Sequence, residues 1–464
     1  MVPLILLFLL LPVVGYLSSP LLFLLFSRPA PSPVPVDFTL TSSGHLKAHV
    51  SLDLIRYLLP TLVQVVALFV LPVLSLYLGN ELLNNRISSG RWITRGWLNL
   101  GRMSKAEWEK QVILVTGGAG GLGREIVRLA LAKGATVVTL DVVDPPAEGP
   151  ESSGRCFHYQ CDVSKSQQVE AISKTIRGDL QKRKKEAGEA GLYLPTEVTV
   201  LVNNAGITSL AAPSSYIIAL PPSEVSKVLE VNLLSHFHTL RTFLPPMLRR
   251  GQGGHVVSVA SSMGHVGAIG MADYVSSKFG VIGLHETLCR ELKAWRSGNV
   301  DEAMMQVVQE AGAGLDDELI SKGSDAEDDS SYLPSNVRVQ TSLILPSHIA
   351  TPLFKDWTYP WPFDFLTPTL TPTHVAERII EEIGERRSGW MYLPRLTWPT
   401  AWMGVLPDWM RALMFWMSGS DTAVECMRAS ARRQDYESEE RTPAPSQIRT
   451  RAQRAASVGA EKQS

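Results

Sequence analysis

The run Val112-Ile-Leu-Val115, followed by Thr-Gly-Gly-Ala-Gly-Gly-Leu-Gly123, constrains the fold more than any other part of this chain. Four β-branched or aliphatic residues read as a buried parallel strand. A glycine-rich turn follows. Residues 124–133 then place Ile126, Val127, Leu129, Ala130 and Leu131 at helical spacing. Strand, glycine turn and helix make the first half of a dinucleotide-binding βαβ unit. Glycine there permits a tight turn, close approach of main chain to a pyrophosphate, and close packing of helix on strand. The phosphate would sit at the positive end of the helix dipole. A second strand over 135–140 ends at Asp141, 18 positions after Gly123. That spacing suits a carboxylate that hydrogen-bonds the adenosine ribose, and its charge repels a 2′-phosphate, so NAD is favoured and NADP is the alternative.

The alternation continues. Strands are expected over 157–162, 197–202, 254–260, 337–345 and 390–393, and helices over 164–185, 223–249, 273–295 and 372–385. The pattern defines an α/β fold, a doubly wound, mainly parallel sheet with helices on both faces. Pro245 and Pro246 are expected to end or kink the 223–249 helix. Thr371 is the expected N-cap of the 372–385 helix, with Pro372 at the first helical position. Residues 297–336 interrupt the pattern with Gly, Asp, Glu and Ser, and read as an inserted, largely disordered loop with a short helix around 302–310.

Outside the 111–395 domain the composition changes. Residues 1–26 and 57–79 hold no charged side chain and are long enough to span a bilayer. Residues 1–80 therefore read as a membrane anchor with one or two transmembrane segments, and 81–110 as a juxtamembrane linker. Arg28, Lys47 and Arg56 lie between the two stretches, against Arg86, Arg91, Arg95, Arg102, Lys105 and Lys110 beyond them. That bias places the catalytic domain in the cytosol. Residues 396–427 read as an apolar C-terminal helix, serving as a lid, a membrane-associated element or a buried helix, and 428–464 as a disordered tail. A formal net charge of -1 implies no nucleic-acid partner. Cys156, Cys161, Cys289 and Cys426 form no CxxC motif and no Cys/His cluster, so no metal site is expected.

The chemistry concentrates in Ser261, Tyr274 and Lys278. Four positions apart on a helix, Tyr274 and Lys278 share one face. A phenol with an ordinary pKa of about 10 is a poor base at neutral pH. A neighbouring ammonium is expected to stabilise the phenolate and lower that pKa. Tyr274 could then exchange a proton with an alcohol or ketone oxygen while hydride passes to or from a nicotinamide ring. Ser261 would hold the same oxygen, and Asn232 would anchor a water linking Lys278 to solvent. Each residue alone is ordinary; the joint occurrence, in this order and behind the glycine turn, is what decides.

With these motifs the chain resembles the short-chain dehydrogenase/reductase family. The match comprises Thr116, Gly117, Gly121 and Gly123 of its cofactor motif, Asn203-Asn204-Ala205-Gly206, Asn232, Ser261 and Tyr274-Val-Ser-Ser-Lys278, within about 111–393. The resemblance implies that Asn232, Ser261, Tyr274 and Lys278 are the catalytic tetrad. It further implies that Leu122, Asp162, Val163, Asn203, Ala205, Gly206, Pro346 and Thr351 join Asp141 and the glycine motif around the cofactor. The family's Pro-Gly turn is Pro346-Ser347 here, with Thr351 still in reach of the nicotinamide carboxamide. The apolar termini look like the membrane-bound retinol and hydroxysteroid dehydrogenase branch. That branch implies a lipophilic alcohol or carbonyl substrate, a bilayer partner, a homodimer, and an integral membrane protein of the endoplasmic reticulum or lipid droplet. Two other readings stay open: an NADPH-dependent carbonyl reductase of lipid metabolism, and a non-catalytic lipid-surface protein on the same fold.

Overall fold

The computed structural model describes residues 37–40, 46–49, 102–146, 154–191, 194–210, 215–249, 253–310, 338–354 and 368–418. Contacts divide the chain into two compact units, 1–94 and 95–464. In the first, β1 (Asp37–Leu40) pairs antiparallel with β2 (Leu46–His49). Phe38 faces Ala48 and Leu40 faces Leu46, while Thr39 faces Lys47. This period-two alternation of apolar and polar pairs is what a short hairpin needs, and it adds a strand pair to the 1–80 region expected as an anchor. Both uncharged stretches, 1–26 and 57–79, lie outside the described residues, as do 81–101, 311–337 and 428–464. Among the described residues no helix is long and apolar enough to cross a membrane.

The second unit is built on seven parallel strands: β3 (Val112–Thr116), β4 (Thr136–Asp141), β5 (Cys156–Gln160), β6 (Val200–Asn203), β7 (Gly254–Val259), β8 (Val339–Pro346) and β9 (Gly389–Leu393). Their order across the sheet is β5-β4-β3-β6-β7-β8-β9. The order reverses at β3, so a crevice opens between the carboxyl ends of β3 and β6, where open α/β sheets bind ligands.

Alternation along each strand feeds two cores. Ile113, Val115, Val202, Val257 and Ile344 face α2 (Gly121–Lys133) and α8 (Pro372–Gly384), meeting Ile126, Val127, Ile379 and Ile383. Val112, Leu114, Leu201 and Val256 face the opposite layer of α3 (Ser166–Glu186), α5 (Ser235–Arg249) and α6 (Ala272–Arg296). Strands apolar on both faces are the signature of a covered parallel sheet. Before β3, α1 (Lys105–Glu109) carries a capping box between Ser104 and Glu107 and seats Trp108 against Gly384.

The sequence expectations hold for element order, with these differences. The 223–249 helix is α4 (Pro222–Leu229), a π-helical turn (Glu230–Leu234) and α5. Pro245 and Pro246 do not end it; both lie inside α5 beside Met247 and Leu248, all buried against the sheet, and that burial offsets the local hydrogen bonds lost. The short helix expected around 302–310 is present, by contrast: α7 (Glu302–Glu310) buries Val308, with Met304 and Met305 packed alongside in the second core. The described part of the expected 396–427 helix, up to residue 418, is not one helix. A 3₁₀ segment (Arg395–Val405) and α9 (Asp408–Ser418) flank Leu406-Pro407, and Leu406 is extended, as a residue before proline prefers. Thr371 does cap α8, accepting from the His374 amide at 3.2 Å.

Candidate active site

The glycine turn is held by main chain. Gly117 and Gly121 have φ of +67° and +52°, a region side chains disfavour. A Cβ on Gly123 would lie 1.9 Å from the Gly117 carbonyl oxygen, so only glycine fits there. Thr116 Oγ1 accepts from the amides of Asn204 and Ala205, each at 3.0 Å, and the Asn204 Nδ2 donates back to the carbonyls of Thr116 and Gly117. Asn204, adjacent to the expected Asn203 and Ala205, is thus the residue that ties the two lips of the crevice. Its signal was its place between the β6 strand and a glycine.

Four features suit a dinucleotide. Gly120 precedes α2 with open space beside it, the first turn of α2 carries no acidic residue, and no side chain caps it, so its amides are available to a phosphate. Asp141, at the end of β4, accepts from the Ala119 amide at 2.9 Å through one oxygen and the Val143 amide at 3.3 Å through the other. Asp162 lies two residues beyond β5 and turns its carboxylate to the Ser164 amide, and Val163 beside it is buried. Thr351 comes within 3.6 Å of where a Gly121 Cβ would be. Pro346 ends β8, and Ser347, where the family has glycine, keeps a negative φ; the only non-glycine residue with positive φ among those described is Arg386. The turn therefore needs no glycine. Asn203 is directed away from the turn: it is buried and accepts from Thr239 Oγ1 at 2.8 Å.

The other expected residues converge one strand away. Ser261, just past β7, caps a 3₁₀ turn (Ser262–Gly264) by accepting from the Met263 amide, and donates to the Pro346 carbonyl at 3.4 Å. Tyr274 and Lys278 project inward from the first turns of α6 and are both buried. Lys278 Nζ donates to the Val259 carbonyl at 3.0 Å and lies 5.6 Å from the centre of the Tyr274 ring. Gly206 fits between Asn232 and Lys278; a Cβ there would be 3.5 Å from Asn232 Oδ1 and 3.7 Å from Lys278 Nζ.

Asn232 is fully buried within the π-helical turn, a deviation often found at functional sites. It accepts from the Ile207 amide at 2.8 Å and donates to the Ile207 carbonyl and to Ser277 Oγ at 2.9 and 3.0 Å. Ser277 in turn donates to the Tyr274 carbonyl at 2.6 Å. Asn232 thus locks the loop after β6 to the helix of Tyr274 and Lys278, a positioning task beyond the water relay read from the sequence. Ser277, missed in the sequence, is the intermediate of that link; its only signal was its place inside Tyr-Val-Ser-Ser-Lys.

The electrostatics differ from expectation at Tyr274. Burial pushes the phenol up to about 12, only partly opposed by the hydrogen bond of Ser261. Burial likewise brings the Lys278 ammonium down to about 8. Desolvation sets the direction at both groups. Behind them, burial holds His236 and His255 near 3 and His285 near 4, with Lys278 adding repulsion at His236.

A parallel sheet with a glycine turn at its switch point and a buried Ser, Tyr and Lys beside it defines a nicotinamide-type dehydrogenase scaffold. The family model for short chain dehydrogenase matches residues 111–305. Dehydrogenase RED2 of Cochliobolus heterostrophus is 30% identical over 222 residues, covering 48% of this chain and 71% of that protein. The chain belongs to the short-chain dehydrogenase family. Retinol dehydrogenase 10 of Homo sapiens is 39% identical over 145 residues, covering 31% of this chain and 37% of that protein. Short-chain dehydrogenase/reductase family 16C member 6 of Bos taurus is 28% identical over 296 residues, covering 62% and 73%. The match to the retinol dehydrogenase thus spans well under half of that relative.

Proposed function

We propose that this protein is a membrane-anchored, nicotinamide-dependent oxidoreductase that interconverts a lipophilic alcohol and its carbonyl. The observation that carries the reading is the convergence of Ser261, Tyr274 and Lys278, all buried, on the crevice bordered by the glycine turn. When bound, the nicotinamide dinucleotide supplies or accepts the hydride at the substrate carbon. Thr116, Gly117, Gly121, Leu122, Gly123, Ala205 and Gly206 would border its phosphates and nicotinamide, with Asp162 and Val163 toward the adenine and Thr351 toward the carboxamide. Asp141, whose neighbours Val142 and Val143 are exposed and apolar, offers a ribose a carboxylate and a 2′-phosphate no cation, which favours NAD.

Tyr274 moves the proton at the substrate oxygen. Held near 12, its phenol is protonated at neutral pH and ready to donate to a carbonyl. Ser261 fixes the same oxygen. Lys278 keeps its charge at neutral pH and is poised to stabilise the phenolate of the reverse direction. Asn232 and Ser277 hold this helix in register.

The retinol dehydrogenase relatives and the uncharged stretches 1–26 and 57–79 support a lipid-like substrate and a bilayer anchor. Exposed Leu234, Phe237 and Phe279, on the segments that carry Asn232 and Tyr274, support a homodimer through that face. The test is NADH formation by detergent-solubilised protein offered NAD and retinoid, steroid and long-chain alcohols, beside Tyr274→Phe. Turnover confined to the native protein supports the reading. Turnover that survives Tyr274→Phe sinks the mechanism, and intact NAD binding without turnover in either direction moves the protein to a binding role.

A further inference from the structure

The seven strands are parallel, so every segment that follows a strand lies at one end of the sheet and the carboxyl-terminal ends of the covering helices lie at the other. The two ends differ in chemistry. At the far end α2 closes on Lys133, α3 on Arg183, Lys184 and Lys185, α5 on Arg249, and α6 on Lys293 and Arg296. At the crevice end, residues 215–223 after β6, 266–272 after β7 and 396–407 after β9 contain no charged side chain.

The most exposed large hydrophobic side chains among the described residues are Ile218, Ile217, Val405, Trp409 and Val143. Each follows β4, β6 or β9. Ile218 is 99% exposed and Ile217 76%, two adjacent isoleucines on a loop anchored by buried Ser215 and Leu220. Single exposed apolar residues are ordinary, but three uncharged segments that expose adjacent isoleucines and Trp402, with Trp409 just beyond, need a partner. The 3₁₀ segment is not loose: Thr397 and Met403 are buried, so Trp402 and Val405 are presented outward from a fixed base.

From this we infer that the crevice end of the sheet is the face that seats on a lipid bilayer, with Ile217 and Ile218 from one side and Trp402 and Val405 from the other dipping into the headgroup boundary. The occupant follows from the chain itself. Two uncharged, bilayer-length stretches precede this unit, and the second ends 23 positions before Arg102. On the anchored reading the tether would keep the domain beside a membrane, and the end of the sheet that carries these uncharged, apolar segments is the end suited to lie against it. Tryptophan and isoleucine on short, uncharged loops fit an interfacial depth, not a span. The substrate would then enter the crevice directly from the lipid. The inference rests on the membrane-anchored oxidoreductase reading, but its readout does not.

The test uses the full chain reconstituted in phosphatidylcholine vesicles, with a benzophenone amino acid replacing Ile218, Trp402 or, as control, Lys182, which is exposed at the opposite end. Irradiation should give lipid adducts at the first two positions in at least about fivefold excess over the control, as interfacial burial requires. Alongside, Ile217→Ser with Ile218→Ser should lower kcat/KM for a long-chain alcohol in the vesicles by about tenfold while leaving a short, water-soluble alcohol within about twofold. Adducts to a second copy of the chain in place of lipid overturn the inference. So does equal labelling of all three positions, and so does absence of lipid adducts from an enzyme whose Tyr274-dependent turnover is intact. Lipid adducts without turnover on any alcohol uphold the surface and overturn the reaction instead.

Discussion

The two lips of the crevice are built from opposite materials. On the side of β3, α2 and β4, the turn from Thr116 to Gly123 is shaped by missing side chains: φ values near +60° at Gly117 and Gly121, and a carbonyl 1.9 Å from where a Gly123 Cβ would be. On the side of β7 and α6, Ser261, Tyr274, Lys278 and Asn232 are buried polar groups, with Asn232 bonded three times. On the proposed reading one side binds a dinucleotide with main chain, and the other positions protons. Damage to one side should therefore leave the other's task intact.

The largest effect should come from Tyr274→Phe. Removing the hydroxyl proposed to move the proton should lower kcat by about 10²- to 10⁴-fold. The NAD dissociation constant, read by NADH fluorescence titration, should stay within about twofold, because the dinucleotide lip is untouched. A large loss of NAD affinity would break the division. Gly123→Ala is the converse. The methyl group must displace the Gly117 carbonyl or the helix, and NAD affinity should fall by about 100-fold, on the order of two lost phosphate hydrogen bonds. In the same variant kcat at saturating NAD should hold within a few-fold.

The two sides also differ in how far the sequence discloses them. Steric demand writes itself into residue identity, so the glycine turn and Asp141 are plain in the residues themselves, as is the parallel sheet from its apolar strands. The tetrad is legible as a motif, yet its physics is not. Helical periodicity cannot register the extra residue of a π turn at Glu230–Leu234, and nothing local tells that Asn232 spends its amide on Ile207 and Ser277. The sign at Tyr274 fails for a similar reason: the neighbouring lysine is visible in the sequence, whereas the burial that sets the direction is a property of the packed helix. His236, His255 and His285 read as polar residues, and only packing makes them neutral core groups.

Those histidines give a third, pH-dependent contrast. Their folded values, near 3, 3 and 4, lie below the ordinary 6.5. As pH falls through 6.5 the unfolded chain takes up protons that the folded one refuses, so stability drops between pH 6.5 and about 4. The slope is at most about 1.4 kcal/mol per pH unit for each histidine. His285→Gln should flatten that acid limb in urea denaturation by at most about 1.4 kcal/mol per pH unit, the share of one histidine among those that burial holds below 6.5. An unchanged limb would mean that His285 protonates at its ordinary value and that the catalytic side is wetter than its burial indicates.

The smallest effect tests the finest joint. Ser277 receives the Asn232 amide and passes a hydrogen bond to the Tyr274 carbonyl at 2.6 Å. Ser277→Ala removes both bonds and leaves one Asn232 N–H without its partner in a fully buried site. The cost to stability should be about 1–2 kcal/mol, that of an unsatisfied buried donor. A merely structural role would end there. A positioning role adds a kinetic split: KM for the alcohol and the NAD dissociation constant hold, while kcat falls about tenfold, because a small displacement of the Tyr274 hydroxyl removes its alignment with the substrate oxygen. Ser277→Thr, which keeps the hydroxyl, should recover most of that kcat if the extra methyl fits against Asn232. Equal loss in the alanine and threonine variants would mean that packing, not the hydrogen bond, sets the register of α6. The catalytic lip would then be shaped by excluded bulk, as the glycine lip is.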